Sequence, residues 1–344
     1  MRTIKGWVTL ASIAAALNPI SVNASDFYKD KIVTAILGAG PGGGYDLYAR
    51  TVMKHLVNHI PGKPQFIMQF MPGAGGQKAA QYFYNVASKD GTKIAKLSNM
   101  LPAFQVLRSG VKYDVRELNY IGRAASMQYV TMVWHTTGVK SLEDAQKAKQ
   151  PIIFGSSGKS QSNYIVPAVM ANLLGLNVKV IAGYTGTAAI NKALEQGEVT
   201  GRAGAWSSWI SRAGRLIKEK KVVAIAQSGL EKATDIKNGY GKPTPLLLDL
   251  AKNDDERAIL RLLAADAAIG RNFSTPPGTS STRIKLLCRA FDATMKDRAF
   301  LEEAKKRKLI VEPKTCEWLQ ETATAIVNTP APLVQKAKAL LGWK

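Results

Sequence analysis

The residues best suited to chemistry in this sequence are two glycine-rich runs, and the chemistry is anion binding. Gly38-Ala39-Gly40-Pro41-Gly42-Gly43-Gly44-Tyr45-Asp46 is followed about thirty residues later by Met71-Pro72-Gly73-Ala74-Gly75-Gly76. Each run closes an apolar, β-branched stretch (Ile32 to Leu37, Phe66 to Phe70) and opens an amphipathic one (Leu47 to Leu56, Gln77 to Val86). A strand that ends in glycines and feeds a helix brings bare backbone N–H groups and the positive end of a helix dipole to one point. Glycine also lets a ligand approach the main chain without a side-chain clash. Two such turns in succession place an anion pocket at the carboxyl edge of a parallel sheet. Asp46 stands just inside the first helix, where it serves as a cap or orients a bridging water. Asn99 follows the third strand at the same edge, as a ligand or water contact or as a turn residue.

The elements that must hold these turns read as two α/β series. Strands Lys31–Gly38, Gln65–Met71 and Lys93–Ser98, each with a helix after it, recur at about thirty residues, the size of a βα repeat. A looser stretch, Gly110 to Arg123, leads to the apolar strand Tyr129–Trp134. The second series has strands at Ile152–Phe154, Val178–Ala182, Val199–Ala203 and Val222–Ala226. Its turns are Gly155-Ser156-Ser157-Gly158 and Gly183-Tyr184-Thr185-Gly186-Thr187. A helix-rich tail runs from Pro245 to Lys344 and includes the turn Ser274-Thr275-Pro276-Pro277-Gly278. Strand–helix alternation with a break near residue 125 predicts two α/β domains, each with a mainly parallel sheet flanked by helices.

The chain has 344 residues, 46% of them hydrophobic, which is enough to bury a substantial core. Arg2 and Lys5, the apolar run Trp7 to Leu17, and Val22-Asn23-Ala24 have the three regions of a secretory signal with a cut after Ala24. That run is too short to span a bilayer. The formal charge is +22, and losing Arg2 and Lys5 leaves +20. The lysines are scattered and no basic stripe is interleaved with aromatics, so the charge reads as a solvated surface that steers small anions and not as a nucleic-acid site. Cys288 and Cys316 are the only cysteines; export permits a bridge, but two free thiols is the default expectation.

Other motifs fail on their particulars. Gly38-x-Gly40-x-x-Gly43 matches a dinucleotide fingerprint, but the second strand ends in Gln69-Phe70-Met71-Pro72 without the acidic residue that would hold a ribose. Gly155-Ser156-Ser157-Gly158-Lys159-Ser160 resembles part of a phosphate-binding loop, yet Ile153 stands where the first glycine is needed. Ser156-x-x-Lys159 matches a serine acyl-transferase pair whose companion Lys-Thr-Gly is absent, leaving a secreted hydrolase on Ser156 or Ser157 as the enzymatic rival. His55 and His59 have zinc spacing, but the remaining histidine is His135, far away in sequence. No cofactor, metal or catalytic residue is therefore expected. Trp206 and Trp209 follow a second-series strand and either shield a ligand or pack in the core. Arg123 and Arg202 are the candidates to meet a second carboxylate, against a surface role.

Gly40-Pro41-Gly42-Gly43-Gly44-x-Asp46 … Ala49-Arg50 together with Met71-Pro72-Gly73-Ala74-Gly75-Gly76 resembles the signature of the receptor subunits of tripartite tricarboxylate transporters, the Bug-type solute-binding proteins. Lys89-Asp90-Gly91-Thr92, Gly183-Tyr184-x-Gly186, Ala193-Leu194-Glu195-x-Gly197-Glu198-Val199, Pro276-Pro277-Gly278-Thr279 and Phe291-Asp292-Ala293-Thr294-Met295-Lys296-Asp297 are similar to later segments of that family, so the likeness covers residues 26–344. The sequence departs from the family pattern at Thr200, where the family often has Asp, at Lys242-Pro243-Thr244-Pro245-Leu246, and in an insert-like stretch Asp254 to Leu263.

The resemblance implies a two-lobed clamshell binding protein. Residues 1–24 would be the signal, 25–125 the first lobe, 126–245 the second, and 246–344 a helical return to the first. A small organic carboxylate would lie in the interlobe cleft, held by backbone groups and waters at the glycine turns. A periplasmic monomer would deliver it to a two-component membrane permease; a sensor that docks on a membrane receptor is the rival. The residues expected at the ligand are Pro41, Gly42, Gly43, Gly44, Asp46, Gly73, Ala74, Gly75, Gly76, Asn99, Ser156, Ser157, Tyr184, Thr185, Gly186 and Ala203.

Overall fold

The computed structural model describes residues 27–159 and 161–343. The expected signal segment, its cut after Ala24, and Ser160 lie outside them.

Ten strands form two five-stranded sheets. They are β1 Ile32–Leu37, β2 Gln65–Phe70, β3 Lys93–Lys96, β4 Asn119–Arg123, β5 Tyr129–Trp134, β6 Ile152–Ser156, β7 Val178–Ala182, β8 Gly201–Ala205, β9 Val222–Ser228 and β10 Asn272–Thr275. The first sheet has the order β2-β1-β3-β10-β4 and the second β7-β6-β8-β5-β9. Both are mixed. β1 runs parallel to β2 and β3, and β6 parallel to β7 and β8, as βα crossovers require. β10 is antiparallel to β3 and β4, and β5 to β8 and β9. These two antiparallel strands are the ones laid down just after the chain passes from one sheet to the other.

Burial follows position in the sheet. β1 is central and covered on both faces, so all but its first residue are buried and it reads as an unbroken apolar run. β2 is an edge strand whose exposure alternates, with Ile67 outside. The first sheet packs Val33, Leu37 and Phe273 against Val52 and Leu56 of the helix Gly44–His59 and against Leu287 and Phe291 of the helix Ser281–Lys296. Trp209 anchors a second cluster beneath β5 and β9, its Nε1 donating to the Val130 carbonyl at 3.0 Å.

A third cluster crosses between the sheets: Phe104 and Leu319 join Phe154, Ile165 and Leu260. The tail does not stay on the first sheet's side. Its last helix, Ala331–Leu341, packs on Ser162–Leu174 of the second series and on Leu101–Leu107 of the first. Asn172 donates to the Leu340 carbonyl at 2.7 Å, tying that end down.

The cysteines form a disulfide, Cys288–Cys316, against the expectation of two free thiols. The helix Ser281–Lys296 and the helix Cys316–Val327 both pack on β4, which brings the two Cα atoms to 6.1 Å. Sequence spacing does not reveal such a crossing. The bridge closes a loop of 28 residues. Replacing both cysteines (Cys288→Ala with Cys316→Ala) is expected to cost about 3 kcal/mol in a denaturant titration while leaving small-molecule affinity unchanged, because neither cysteine lines the cleft described below. No helix among the described residues is long and apolar enough to cross a membrane.

Candidate functional site

Five helices begin at one place. Gly44–His59 and Gln77–Asn85 follow β1 and β2; Ser162–Leu174, Thr187–Glu195 and Trp206–Lys218 follow β6, β7 and β8. Their N-cap residues are Gly43, Gly76, Gln161, Gly186 and Ala205, and all five line a single cleft of ≈ 500 Å³ between the sheets. None of the five has a side-chain cap. Of the α-helices that begin elsewhere, four are capped, by Ser141, Asn253, Asp297 and Thr315, and four, after Met100, Ala264, Ser280 and Pro330, are not. The first-turn N–H groups of an uncapped helix have no acceptor within the helix, so the cleft collects main-chain donors and five positive dipole ends. Among the described residues no Asp or Glu lines it, and Arg212 and Arg271 do. The volume falls in the ~300–1,000 Å³ range of small-molecule sites.

Most of the expected residues meet here. Pro41, Gly42, Gly43, Gly44, Gly73, Gly75, Gly76, Ser157, Thr185, Gly186 and Ala203 line the cleft. Gly43 has an extended backbone (φ −85°, ψ 176°), and a Cβ built on it would meet nothing within 4 Å. Gly76 is the opposite case. Its φ is +93°, and a Cβ there would sit 2.8 Å from the Ser98 Cβ. The second turn is thus pressed against the third strand's exit, and only glycine fits that approach.

Five expected residues stand off the cleft wall. Asp46 is buried beneath the first turn: its Oδ2 accepts the Gly42 N–H at 2.8 Å and its Oδ1 accepts Arg50 Nε at 2.7 Å. It pins the loop, and the Gly42 N–H is committed to it. Asn99 is a buried brace. Its Nδ2 donates to the Asp266 carbonyl at 2.9 Å, and its Oδ1 accepts from the Tyr45 hydroxyl. Ser156 is wholly buried, its hydroxyl bonded to the Gly158 carbonyl at 3.1 Å and Asn163 Oδ1 at 2.7 Å. Tyr184 turns outward and donates to Glu198 at 2.5 Å. Ala74 faces a separate groove beside Gln77 and Lys78.

The other candidates resolve similarly. Trp209 is core, with the Arg202 guanidinium 3.5 Å from its ring centroid, so neither reaches the cleft wall. Burial pushes Arg202 down to about 9. Arg123 donates to the Ala268 and Glu312 carbonyls. His55 pairs with Glu303 at 2.9 Å and His59 with Asp297 at 2.7 Å, and no cluster of three metal-ligating side chains occurs among the described residues. Among the described residues the Ser156 hydroxyl pairs with Gly158 and Asn163 and with no histidine or lysine.

Sequence reading missed Tyr45, Met127, Tyr129, Ser208, Arg212 and Arg271 on the wall. Arg212, on the helix Trp206–Lys218, donates to the Gly42 carbonyl and so bridges the lobes across the first turn. A second cross-lobe contact runs from the Ser162 hydroxyl, on the wall, to the buried Asp266 carboxylate. Burial raises Asp266 to about 6, with the Ser162 and Tyr129 hydrogen bonds opposing the shift. Burial likewise raises Tyr45 and lifts Tyr129 well above the phenol range, so both hydroxyls stay neutral donors.

A pH dependence follows from Asp266. Between pH ~4 and ~6 the native state keeps a proton that the unfolded chain has released, so this group's contribution to stability is complete below ~4 and is lost as pH rises through 6, up to about 3 kcal/mol at roughly 1.4 kcal/mol per unit. Carboxylates held low work the other way. Hydrogen bonds from Lys54 and His55 hold Glu303 near 2, and Arg116 holds Asp114 near 2; both lend stability above pH ~4. Asp266→Asn keeps an acceptor for Ser162 and removes the titration. Denaturant melts at pH 4.5 and 7.5 should show the variant gaining on wild type at the higher pH. An equal difference at both pH values would contradict the assignment.

No protein-family model matches the chain, and no curated protein matches it in sequence. Solved structures do match it in three dimensions. The periplasmic binding protein BugD superposes with a TM-score of 0.68 at 18% identity, covering 90% of this chain and 98% of its own. MatC from Rhodopseudomonas palustris with bound malate gives 0.66 at 15%, covering 90% and 98%. An R. palustris protein with adipate gives 0.66 at 15%, covering 90% and 97%. The fold is that of a periplasmic solute-binding protein. The likeness is to the Bug and TctC type of that fold, two lobes with one cleft between them.

Proposed function

We propose that this chain is a periplasmic receptor that captures a small organic carboxylate in the interlobe cleft and hands it to a tripartite tricarboxylate-type permease, acting as a monomer without catalysis. The observation that carries the reading is the convergence of five uncapped helix N-termini on a cleft where no described residue presents a carboxylate. Each dipole end contributes about 0.3–1 kcal/mol to an anion, and up to ~2 where partly buried. In this reading one carboxylate group lies between the two glycine turns, near Gly43, Gly44, Gly75 and Gly76, and the second lobe closes on it with Ser157, Thr185, Gly186 and Ala203. The signal-like segment 1–24 would route the chain to the periplasm. The residues divide functionally as first lobe 25–125, second lobe 126–245 and a helical return 246–344.

Ligand capture here shifts an open–closed equilibrium. The contacts from Arg212 to the Gly42 carbonyl and from Ser162 to Asp266 belong to the closed arrangement and would part on opening. A thermal-shift panel of mono-, di- and tricarboxylates, aromatic acids and the matching amides tests the reading. An acid at a hundred times its dissociation constant adds about 2.7 kcal/mol of stability, and the amides should add none. A panel in which no acid raises the midpoint would overturn it.

A further inference from the structure

Asp266 is 2% exposed on the short helix Ala265–Ile269, which leads into β10 of the first sheet. The two hydroxyls that reach its carboxyl come from the second sheet's elements. Ser162 opens the helix after β6, and Tyr129 opens β5. Both line the cleft and Asp266 does not, so the carboxyl lies beneath two second-lobe hydroxyls. The main chain of its own helix is held separately. The Asp266 carbonyl accepts Asn99 Nδ2 at 2.9 Å, and the Ala267 carbonyl accepts the Met127 N–H at 3.1 Å. Lobe opening therefore leaves this helix in place and takes the hydroxyls away. No cation offsets the carboxyl: Asp266 makes no ion pair among the described residues. Tyr129 and Tyr45 are the titratable groups that face it, with Lys96 and Arg271 packed on the Tyr45 ring at 3.8 and 5.2 Å. Of the helices packed on its own, Leu101–Leu107 carries no titratable side chain. Asp254, Asp255, Glu256, Arg257 and Arg261 on Asp254–Leu263, and Glu317 and Glu321 on Cys316–Val327, are not buried, and none perturbs the carboxyl.

A buried carboxylate without a counter-charge is unfavourable, and a proton removes the charge. Protonated, the carboxyl keeps an acceptor for the Ser162 hydroxyl and gains an O–H donor for Tyr129. With the lobes apart, water reaches the carboxyl and the ordinary ionised form returns. We propose that Asp266 and Ser162 form a proton-operated latch between the lobes: closure takes a proton from solvent onto the Asp266 carboxyl, and loss of that proton favours opening and release. The closed form titrates at about 6, the open form near the usual ~4. Closure is therefore favoured in full below pH ~4, and the advantage is lost as pH rises through 6. This inference rests on the two-lobed receptor reading and not on which acid the cleft takes.

The test compares the wild-type chain with Asp266→Asn. Adipate and malate are titrated calorimetrically at pH 4.5 and 7.5, and each wild-type affinity is divided by that of the variant at the same pH, which cancels the probe's own protonation. The two proteins should bind alike at pH 4.5, and the wild type should bind at least ~10-fold more weakly than the variant at pH 7.5. A second readout needs no acid. Spin labels on Lys78→Cys and Lys192→Cys, exposed positions on the helices Gln77–Asn85 and Thr187–Glu195, report the separation of the lobes. In the acid-free protein the short-distance population should shrink from pH 4.5 to 7.5, and in the Asp266→Asn background it should not. An affinity ratio that is constant with pH, or that favours the wild type at pH 7.5, overturns the latch while the carboxylate reading stands. If neither acid binds at either pH, that counts against the carboxylate reading, and the label distances decide the latch: an unchanged distribution overturns it. Should Asp266→Asn not fold, the distances in the labelled wild-type background still decide.

Discussion

Gly43→Val should abolish carboxylate binding while leaving the protein folded. Gly43 is the N-cap of the helix Gly44–His59, at a φ/ψ that valine adopts freely, and nothing lies within 4 Å of its missing Cβ. The isopropyl group therefore enters the cleft without displacing protein. It covers the uncapped first turn at the point where the ligand's carboxylate is to sit. The expected loss is at least ~100-fold, or about 2.7 kcal/mol. Valine is a poorer N-cap than glycine, so a stability loss of about 1 kcal/mol or less should accompany it. Titration of the folded variant reads the first number and a denaturant curve the second.

Gly76 should behave in the reverse way, failing in stability before it fails in binding. An alanine there must hold φ +93° and place its Cβ 2.8 Å from the Ser98 Cβ. The left-handed backbone costs about 1–2 kcal/mol, and the collision adds a further 1–3 kcal/mol typical of overpacking. Gly76→Ala is expected to lose about 2–5 kcal/mol in all. The cause can be divided experimentally. Adding Ser98→Gly removes the atom that is struck and should restore the collision part, leaving the backbone part in place. Full additivity of the two substitutions would show that the close approach is not the source of the loss.

Legibility in the sequence tracked how local the determining forces are. The glycine turns are readable because strand, turn and helix lie next to one another in the chain, and the apolar runs of β1 and β5 announce interior strands by their nearly unbroken burial. In the sequence β10 falls within a turn and β4 within a loose stretch. β10 has only four residues, three of them polar, and becomes a strand because β3 and β4 pair with it from both sides. Arg271 was invisible for the same reason. Nothing beside Gly270 and Asn272 marks it, and only the return of the chain to the first sheet carries it to the glycine turns. Asp46 and Asn99 were placed at the correct sheet edge, but a short polar side chain has several partners in reach. The buried acceptor or donor that each one found depends on neighbours far away in sequence, Asp266 for Asn99 among them. Arg202 and Trp209 were candidates because β8 ends at the cleft. In the fold they pack against each other instead of lining the wall.

The central claim is that a ligand carboxylate is held by main-chain donors at the two glycine turns. A crystal structure of the protein with the best acid from the panel tests it most directly. The account predicts carboxylate oxygens, or a single bridging water, at about 2.7–3.2 Å from first-turn N–H groups at Gly44 or Tyr45 and from the Gly75–Gly76 turn. An acid bound with its carboxylates away from both turns would contradict it.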